Sequence, residues 1–243
     1  MTLQDAPQCS VPLICIHGGF GMATFHALAR NMSPTQTVYG MQLFNTDLEN
    51  TDLEIELLAD AYADQILALN RGKVVLAGYS VGGNIAHAII RRLIEAGVCV
   101  PIEILINTYV IGSESVEEGG RPDEDDAVLY WIIRDVPDIG LDDALRIRAI
   151  FKKLRVSAAQ YRPYPTDTPI LLIQPQERAL NLTAEDAARL AEAQVQAWLE
   201  IARSSLLVEV VDGSPGGMIQ APHVRSLAYK LQTHMDLVRS SAG

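Results

Sequence analysis

The pentapeptide at positions 78–82, Gly-Tyr-Ser-Val-Gly, constrains the fold of this chain more than any other segment. It matches the pattern G-x-S-x-G and lies between an apolar run, 73–77, and a segment of helical spacing that Gly97 ends. In that context the glycines permit a tight strand-to-helix turn, which lifts the serine above the edge of a sheet. The start of the helix also favours negative charge close to that serine. The segment therefore predicts a nucleophile elbow with Ser80 as the nucleophile.

Apolar runs alternate with segments of helical spacing along most of the chain. The predicted strands are 11–16, 37–41, 73–77, 102–106, 169–174 and 206–211, and the predicted helices are 22–31, 53–69, 80–96, 183–203 and 222–237. Strands that alternate with helices in this way form βαβ units. Because such units are right-handed, we expect a mostly parallel, twisted sheet with helices on both faces.

The stretch from about 112 to 165 interrupts this alternation. It contains an acidic loop rich in glycine and proline, two segments of helical spacing near 125–134 and 141–156, and a turn-rich segment at 162–165. We interpret it as a helical lid inserted into the sheet. No other segment resembles a linker, so the 243 residues predict one domain, 1–243.

Composition argues against several classes of partner. A formal net charge of -11 opposes binding to the phosphates of nucleic acid. No apolar run is long enough to span a bilayer, and the N-terminus shows no export signal, so we expect no membrane partner. The three cysteines lack metal-ligand or redox spacing, which predicts buried thiols and a cytoplasmic location.

A second glycine-rich segment, 17–21, follows the first apolar run. An oxyanion hole takes one backbone N–H from the residue after the nucleophile and another from the loop after an earlier strand. The first donor would be Val81. The second would come from Gly19 or Phe20, at the start of the loop.

These features together resemble the chain-releasing thioesterase domains of nonribosomal peptide and polyketide synthases. The resemblance rests on the elbow extended by Gly83, the glycine loop near the N-terminus, a chain that starts directly on the strand before that loop, and the insertion after the strand that ends at Ile106. It implies the α/β-hydrolase fold. It also implies an acyl or peptidyl substrate tethered to the phosphopantetheine of a carrier protein, which would be the partner, and no metal or organic cofactor of its own.

Two positions depart from that family. There, an aspartate after the strand before the lid orients a histidine in a Gly-x-His-x-x-Met loop after the last strand. Here the aspartate position is Asn107, and the loop at 213–218 places Pro215 where the histidine would be. Proline accepts no proton, and a serine without a base is a weak nucleophile near neutral pH. The resemblance therefore implies a degenerate triad, which makes ordinary hydrolysis less favoured than another route.

Two residues are candidates to replace the missing partners. No histidine lies between 183 and 222, so the absence of the base does not depend on the alignment of the loop. His223, at the start of the closing helix, is a candidate replacement base. Glu177, after the strand that ends at 174, is a candidate acid, although a solvated carboxylate is the simpler interpretation.

The other histidines fit a catalytic role less well. His17 is expected to form structural hydrogen bonds at a strand end. His87 lies seven residues beyond Ser80, about 10 Å along a helix, which is too far for a hydrogen bond. His26 follows the glycine loop, and His234 is expected to be solvated near the end of the last helix.

Three functions remain open at this point. In the first, Ser80 attacks a carrier-bound thioester, and water or an internal nucleophile releases the chain. In the second, the pocket promotes a non-hydrolytic step such as cyclisation, elimination or isomerisation, and Ser80 is only a hydrogen-bond donor. In the third, the domain is an inactive pseudo-thioesterase that binds carrier proteins. We rank acyl-thioester chemistry in secondary-metabolite assembly first, because both the elbow and the predicted fold point to it.

Overall fold

The computed structural model describes residues 1–18, 23–41, 53–110, 140–177 and 183–240. The acidic loop and the predicted helix at 125–134 lie outside these ranges. The strands in the described residues are β1 (Thr2–Gln4), β2 (Leu13–Ile16), β3 (Val38–Met41), β4 (Val75–Tyr79), β5 (Glu103–Ile106), β6 (Ile170–Pro175) and β7 (Leu206–Val211). The helices are α1 (Ala23–Asn31), α2 (Ile55–Leu67), α3 (Val81–Glu95), α4 (Leu141–Gln160), α5 (Ala184–Ile201) and α6 (Val224–Ser240).

The strands form one sheet in the order β1-β3-β2-β4-β5-β6-β7. Every neighbouring pair from β3 to β7 is parallel, as the alternation of strands and helices predicts. The exception is β1, which pairs antiparallel with β3 at the edge. The expectation that the chain starts directly on the strand at 11–16 is therefore wrong. Strand β1 has only three residues and no apolar run that would predict it from the sequence. Its backbone pairing with β3 holds it at the edge.

The two faces of the sheet are buried by different helices. On β4, Ala77 packs in the core beneath α1 and α6, whereas Leu76 faces the core of α2, α3 and α4. A third cluster joins Leu105 and Leu172 to Trp198 of α5 on that second face. Because the central strands are covered on both sides, their sequences are continuous apolar runs instead of alternating ones.

Helix α4 belongs to the predicted insertion and is anchored through its second half. Leu154 and Ala158 are buried in the core beneath α2 and α3. The backbone N–H of Ile55, the first residue of α2, donates to the Ser157 hydroxyl at 2.9 Å. One of the unsatisfied N–H groups at the start of α2 therefore bonds to the insertion.

The cysteine prediction holds for two of the three thiols. Cys9 and Cys15 are buried, whereas Cys99 is exposed, because it lies in the connection between α3 and β5. None of the helices in the described ranges has the length and apolarity that crossing a membrane requires.

A buried ion pair joins α3 to β5 and to the end of the insertion. His87 Nδ1 lies 3.0 Å from Glu103 Oε2, and both side chains are fully buried. His87 Nε2 donates to the Tyr164 carbonyl at 2.8 Å, and the Tyr164 hydroxyl donates back to the His87 carbonyl at 2.6 Å. Both ring nitrogens are thus occupied away from Ser80, in agreement with the exclusion of His87 as a base.

The charge of Glu103 decides the protonation of this histidine. Burial alone lowers the pKa of an imidazole, but here the nearby carboxylate and its hydrogen bond, together with the bond to the Tyr164 carbonyl, raise the pKa of His87 above its usual value. The imidazolium then donates through both nitrogens.

We expect Glu103→Gln to lower the free energy of unfolding by about 3–5 kcal/mol in urea denaturation at about pH 6, because it leaves a buried charge without its partner. The contribution of a group with a raised folded-state pKa is complete below its unfolded pKa, about 6.5, and is lost as pH rises through the folded pKa. The difference in unfolding free energy between wild type and Glu103→Gln should therefore shrink towards alkaline pH.

Asp60→Asn, which breaks the exposed pair of Asp60 and Arg92, is the control and should leave the midpoint of urea denaturation almost unchanged. Equal effects of the two substitutions would contradict an ionised buried pair.

Candidate active site

Ser80 lies at a sharp turn between β4 and α3, at the carboxyl edge of the parallel strands. Its backbone has φ 54° and ψ -128°, a conformation that non-glycine residues rarely adopt. The Ser80 N–H donates to the Ile106 carbonyl of β5 at 2.8 Å, and the Gly83 N–H donates to the Ser80 carbonyl at 2.9 Å. The serine is half-buried. This is the strand, turn and helix context that the G-x-S-x-G pattern predicts.

The glycines of the elbow leave no room for side chains. A methyl group on Gly82 would come within 2.4 Å of the Ile16 and His17 carbonyl oxygens at the end of β2. A methyl group on Gly83 would come within 2.0 Å of the Thr108 hydroxyl after β5. The first turn of α3 is therefore in close contact with the backbone at the end of β2 and with the Thr108 side chain after β5, and these contacts position Ser80.

The first turn of α3 contains Val81, one of the two predicted oxyanion donors. Val81 is the first residue of the helix, so its N–H has no acceptor within the helix. The glycine loop lies close by, since a methyl group on Gly18 would come within 2.8 Å of the Tyr79 carbonyl. Gly19 and Phe20, the predicted source of the second donor, lie outside the described residues, and their role stays a prediction.

His17 forms the structural hydrogen bonds that the sequence predicts. Its Nδ1 donates to the Gly18 carbonyl at 2.6 Å, and its Nε2 accepts from the Tyr62 hydroxyl at 2.7 Å. Burial lowers the pKa of His17, although the bond to Gly18 opposes this shift. The ring is neutral and holds the start of the glycine loop against α2.

Asn107 follows β5 and is buried. Its φ of 48° is left-handed, a region that asparagine tolerates, and its N–H donates to the Ile173 carbonyl at 2.8 Å. The Asn107 side-chain oxygen accepts from the Tyr109 hydroxyl at 3.2 Å. Burial raises the pKa of Tyr109, so the phenol stays protonated and keeps this role. The side chain at 107, which the sequence analysis predicts to stand where a triad aspartate would be, is thus paired with a tyrosine.

Pro215 lies in the turn-rich loop after β7, next to the elbow. The hydroxyl of Tyr79, the residue before Ser80, donates to the Pro215 carbonyl at 2.7 Å. Within the loop, the Met218 N–H donates to the Ser214 carbonyl at 2.9 Å. The loop is therefore attached to the elbow through a main-chain oxygen, whose presence does not depend on the side chain at 215.

His223, the candidate replacement base, lies against the same loop. A methyl group on Gly213, whose φ is 96°, would come within 2.8 Å of Cγ of the His223 ring, and one on Gly217 within 3.8 Å of Cδ2. The ring is half-buried, and among the described residues it has no hydrogen-bond partner. Its nitrogens are therefore available to a substrate or to solvent, while its role as a base stays a prediction.

The expectation that His234 is solvated is wrong. It is buried on α6, and its Nε2 lies 2.9 Å from the Glu209 carboxylate of β7. A signal was present in the sequence, because His234 follows Leu227 and Leu231 at the spacing of one helix face. His234 therefore joins α6 to the sheet.

A cavity of about 410 Å³ opens at the carboxyl ends of β5, β6 and β7. Its lining includes Tyr109, Pro215 and Glu177, together with the first half of α5. The Glu177 N–H donates to the Gly213 carbonyl at 3.0 Å, and its side chain is exposed. No single segment of the sequence signals this cavity, because three separate loops and a helix enclose it.

A family model for the thioesterase domain matches residues 11–234. Malpibaldin synthetase of Mortierella alpina is 28% identical over 182 residues, which cover 71% of this chain and 3% of that protein. A dimodular nonribosomal peptide synthase of Bacillus subtilis is 26% identical over 121 residues, 49% of this chain and 5% of that protein. The chain thus spans only a small part of the length of these relatives.

Solved structures share the fold across almost the whole chain. The RedJ thioesterase from the prodiginine biosynthetic pathway in Streptomyces coelicolor has a TM-score of 0.73 and 17% identity, with 95% of this chain and 87% of that chain covered. The NocB thioesterase domain from the nocardicin cluster has a TM-score of 0.70 and 18% identity, with 93% of each chain covered. These similarities establish the α/β-hydrolase fold that the sequence predicts.

The close contacts at the elbow predict the effect of adding a methyl group there. We expect Gly82→Ala to lower the free energy of unfolding by about 1–3 kcal/mol, because backbone oxygens of β2 occupy the space. Gly72→Ala is the matched control, since no atom lies within 4 Å of the added methyl group. It should change the free energy of unfolding by at most about 0.5 kcal/mol. Urea denaturation of both variants measures the difference, and similar stabilities would show that α3 can move away from β2.

Proposed function

Since this chain belongs to the thioesterase domain family, we propose that it acts on acyl or peptidyl thioesters carried on the phosphopantetheine of a carrier protein in nonribosomal peptide or polyketide assembly. The carrier protein is its partner. The single observation that carries the proposal is the geometry at Ser80, a half-buried serine with a strained backbone at the turn between β4 and α3. The nonribosomal peptide synthetases among its relatives support this choice of substrate.

In the proposed reaction, the Ser80 oxygen attacks the thioester carbonyl carbon. The carbon–sulfur bond breaks, the thiol of the carrier arm leaves with a proton, and the chain remains as an ester on Ser80. The N–H of Val81 stabilises the negative charge that develops on the carbonyl oxygen. We assign the second donor to Gly19 or Phe20, in accordance with the sequence prediction.

Release from Ser80 does not use an aspartate and histidine relay in this proposal. The Asn107 side chain accepts from Tyr109, and Pro215 has no side-chain proton acceptor, so neither side chain provides the acid or the base of a relay. A nucleophile within the substrate then attacks the carbonyl carbon of the serine ester. The bond from that carbon to the Ser80 oxygen breaks, the proton of the nucleophile passes to this oxygen, and the product is cyclic or otherwise non-hydrolytic. Water is a poor competitor, because no base activates it.

His223 is the alternative proton acceptor within the chain. It lies against the loop that carries Pro215, and its ring has no hydrogen-bond partner among the described residues. Substitution by glutamine separates the two routes. Under the substrate-driven route His223→Gln leaves the rate of Ser80 acylation unchanged, and under the base route it lowers that rate strongly.

The missing relay predicts a gain of function when it is rebuilt. We expect Asn107→Asp combined with Pro215→His to raise hydrolysis of an acyl N-acetylcysteamine thioester by roughly 100-fold or more, because a relay accounts for several orders of magnitude in such sites. Aspartate tolerates the left-handed backbone at 107. The acceptor of the Tyr79 hydroxyl is a main-chain oxygen, which histidine at 215 also provides.

Intact-protein mass spectrometry detects the acyl adduct on Ser80, and the release of thiol measures turnover of the thioester. Both are measured for wild type, for the double variant, and for each of these with Ser80→Ala added. The gain should disappear with Ser80→Ala. The substrate-driven route would be overturned if wild type acylates and hydrolyses the thioester rapidly and His223→Gln abolishes both reactions. Absence of any Ser80 adduct in both wild type and the double variant would contradict catalysis and leave a pseudo-thioesterase that binds carrier proteins.

A further inference from the structure

The cavity beside the elbow has one wall of small apolar residues and a polar rim. Its wall is the first half of α5, where four alanines point into it: Ala184, Ala187, Ala188 and Ala191. The rim is polar and includes Gln174, Gln176, Glu177 and Tyr109. A volume of about 410 Å³ lies within the range of small-molecule pockets. The cavity therefore suits an aliphatic chain with a polar end.

The charge of this cavity comes from Glu177. Among the described lining residues it is the only one that is charged at neutral pH, since burial keeps the Tyr109 phenol protonated. Its carboxylate has no ion-pair partner in the described part of the chain. By contrast, the Asp186 carboxylate in the first turn of α5 is paired with the Arg189 guanidinium at 3.0 Å. An unpaired carboxylate at the rim, beside described lining residues that carry no charge, attracts a cation.

The backbone holds Glu177 in place at that rim. Its N–H donates to the Gly213 carbonyl at 3.0 Å, which joins the loop after β6 to the loop after β7. A ligand therefore meets a carboxylate whose Cα position is already determined, so binding orders only the side chain.

Two of the residues that line the cavity are hydrogen-bonded to residues near the elbow. Pro215 lines it and accepts the hydrogen bond of Tyr79, the neighbour of Ser80. Tyr109 lines it as well and donates to Asn107. The cavity therefore has hydrogen-bonded contacts to Tyr79, the residue before Ser80, and to Asn107.

We propose that this cavity binds the amine-bearing end of the acyl chain, with the Glu177 carboxylate accepting hydrogen bonds from a substrate ammonium group. The alanines of α5 contact the aliphatic part of the chain. This inference rests on the proposed function, because it assumes that the ligand is the acyl group of a thioester. It assigns a substrate class, an acyl chain that ends in a primary or secondary amine.

The test compares two thioesters of equal length that differ at one end. Aminohexanoyl and heptanoyl N-acetylcysteamine thioesters are titrated by calorimetry into the Ser80→Ala protein, which binds without acylation. We expect the ammonium compound to bind about threefold to fivefold more tightly, as a partly exposed ion pair allows. Glu177→Gln should remove this preference. Glu192→Gln, on an exposed position of α5 outside the cavity, is the matched control and should preserve it.

A second pair of variants tests the cavity itself. Ala187→Leu places a larger side chain in the cavity and should weaken binding of both thioesters, whereas Ala193→Leu, exposed on the same helix outside the lining, should not. Both substitutions keep a strong helix former, so the fold is preserved.

Equal affinity of the wild-type cavity for the two thioesters, or a preference that survives Glu177→Gln, would overturn the inference. These outcomes differ from a failure of the proposed function. Charge preference without any acylation of Ser80 in the parent protein would overturn catalysis and retain the amine site. Acylation without charge preference would overturn the amine site alone.

Discussion

The close contact of the first turn of α3 with the end of β2 and with Thr108 is the constraint on which the site depends. Gly82 meets the carbonyls of Ile16 and His17, and Gly83 meets Thr108, with no space for a β-carbon at either position. The chain must therefore complete the turn from β4 at Ser80 itself, in a conformation that costs on the order of 1–3 kcal/mol. The close packing of α3 and the hydrogen bond of the Ser80 N–H to Ile106 hold the serine in that conformation.

Main-chain hydrogen bonds hold the carboxyl edge of the sheet together in the same way. The Asn107 N–H bonds to Ile173, and the Glu177 N–H bonds to Gly213. The Tyr79 hydroxyl bonds to the carbonyl of Pro215. Because these bonds use backbone atoms at 107 and 215, side chains there can change without loosening the loops. This explains how the scaffold keeps a strained serine with an asparagine at 107 and a proline at 215.

Sequence alone predicted the features that local signals encode. The elbow follows from five consecutive residues, and the parallel sheet follows from apolar runs that are buried on both faces. Strand β1 has no such run, since three residues pair through their backbone at an edge. His234 was misjudged because its partner, Glu209, lies on a strand 25 residues away. The cavity also escaped prediction, because its walls come from distant segments that meet only in the folded chain.

The two proposals assign separate tasks to the groups around Ser80. An ammonium ion paired with Glu177 has no free lone pair, so it cannot attack an acyl carbon while it stays bound there. Glu177 is therefore a binding residue that positions the chain, and release needs a different acceptor for the proton of the attacking group. When the amine loses its proton it leaves the carboxylate, and the freed end can then reach the ester at high effective concentration. Loss of the relay is compatible with this sequence of events, because an amine is a stronger nucleophile than water and depends less on a base.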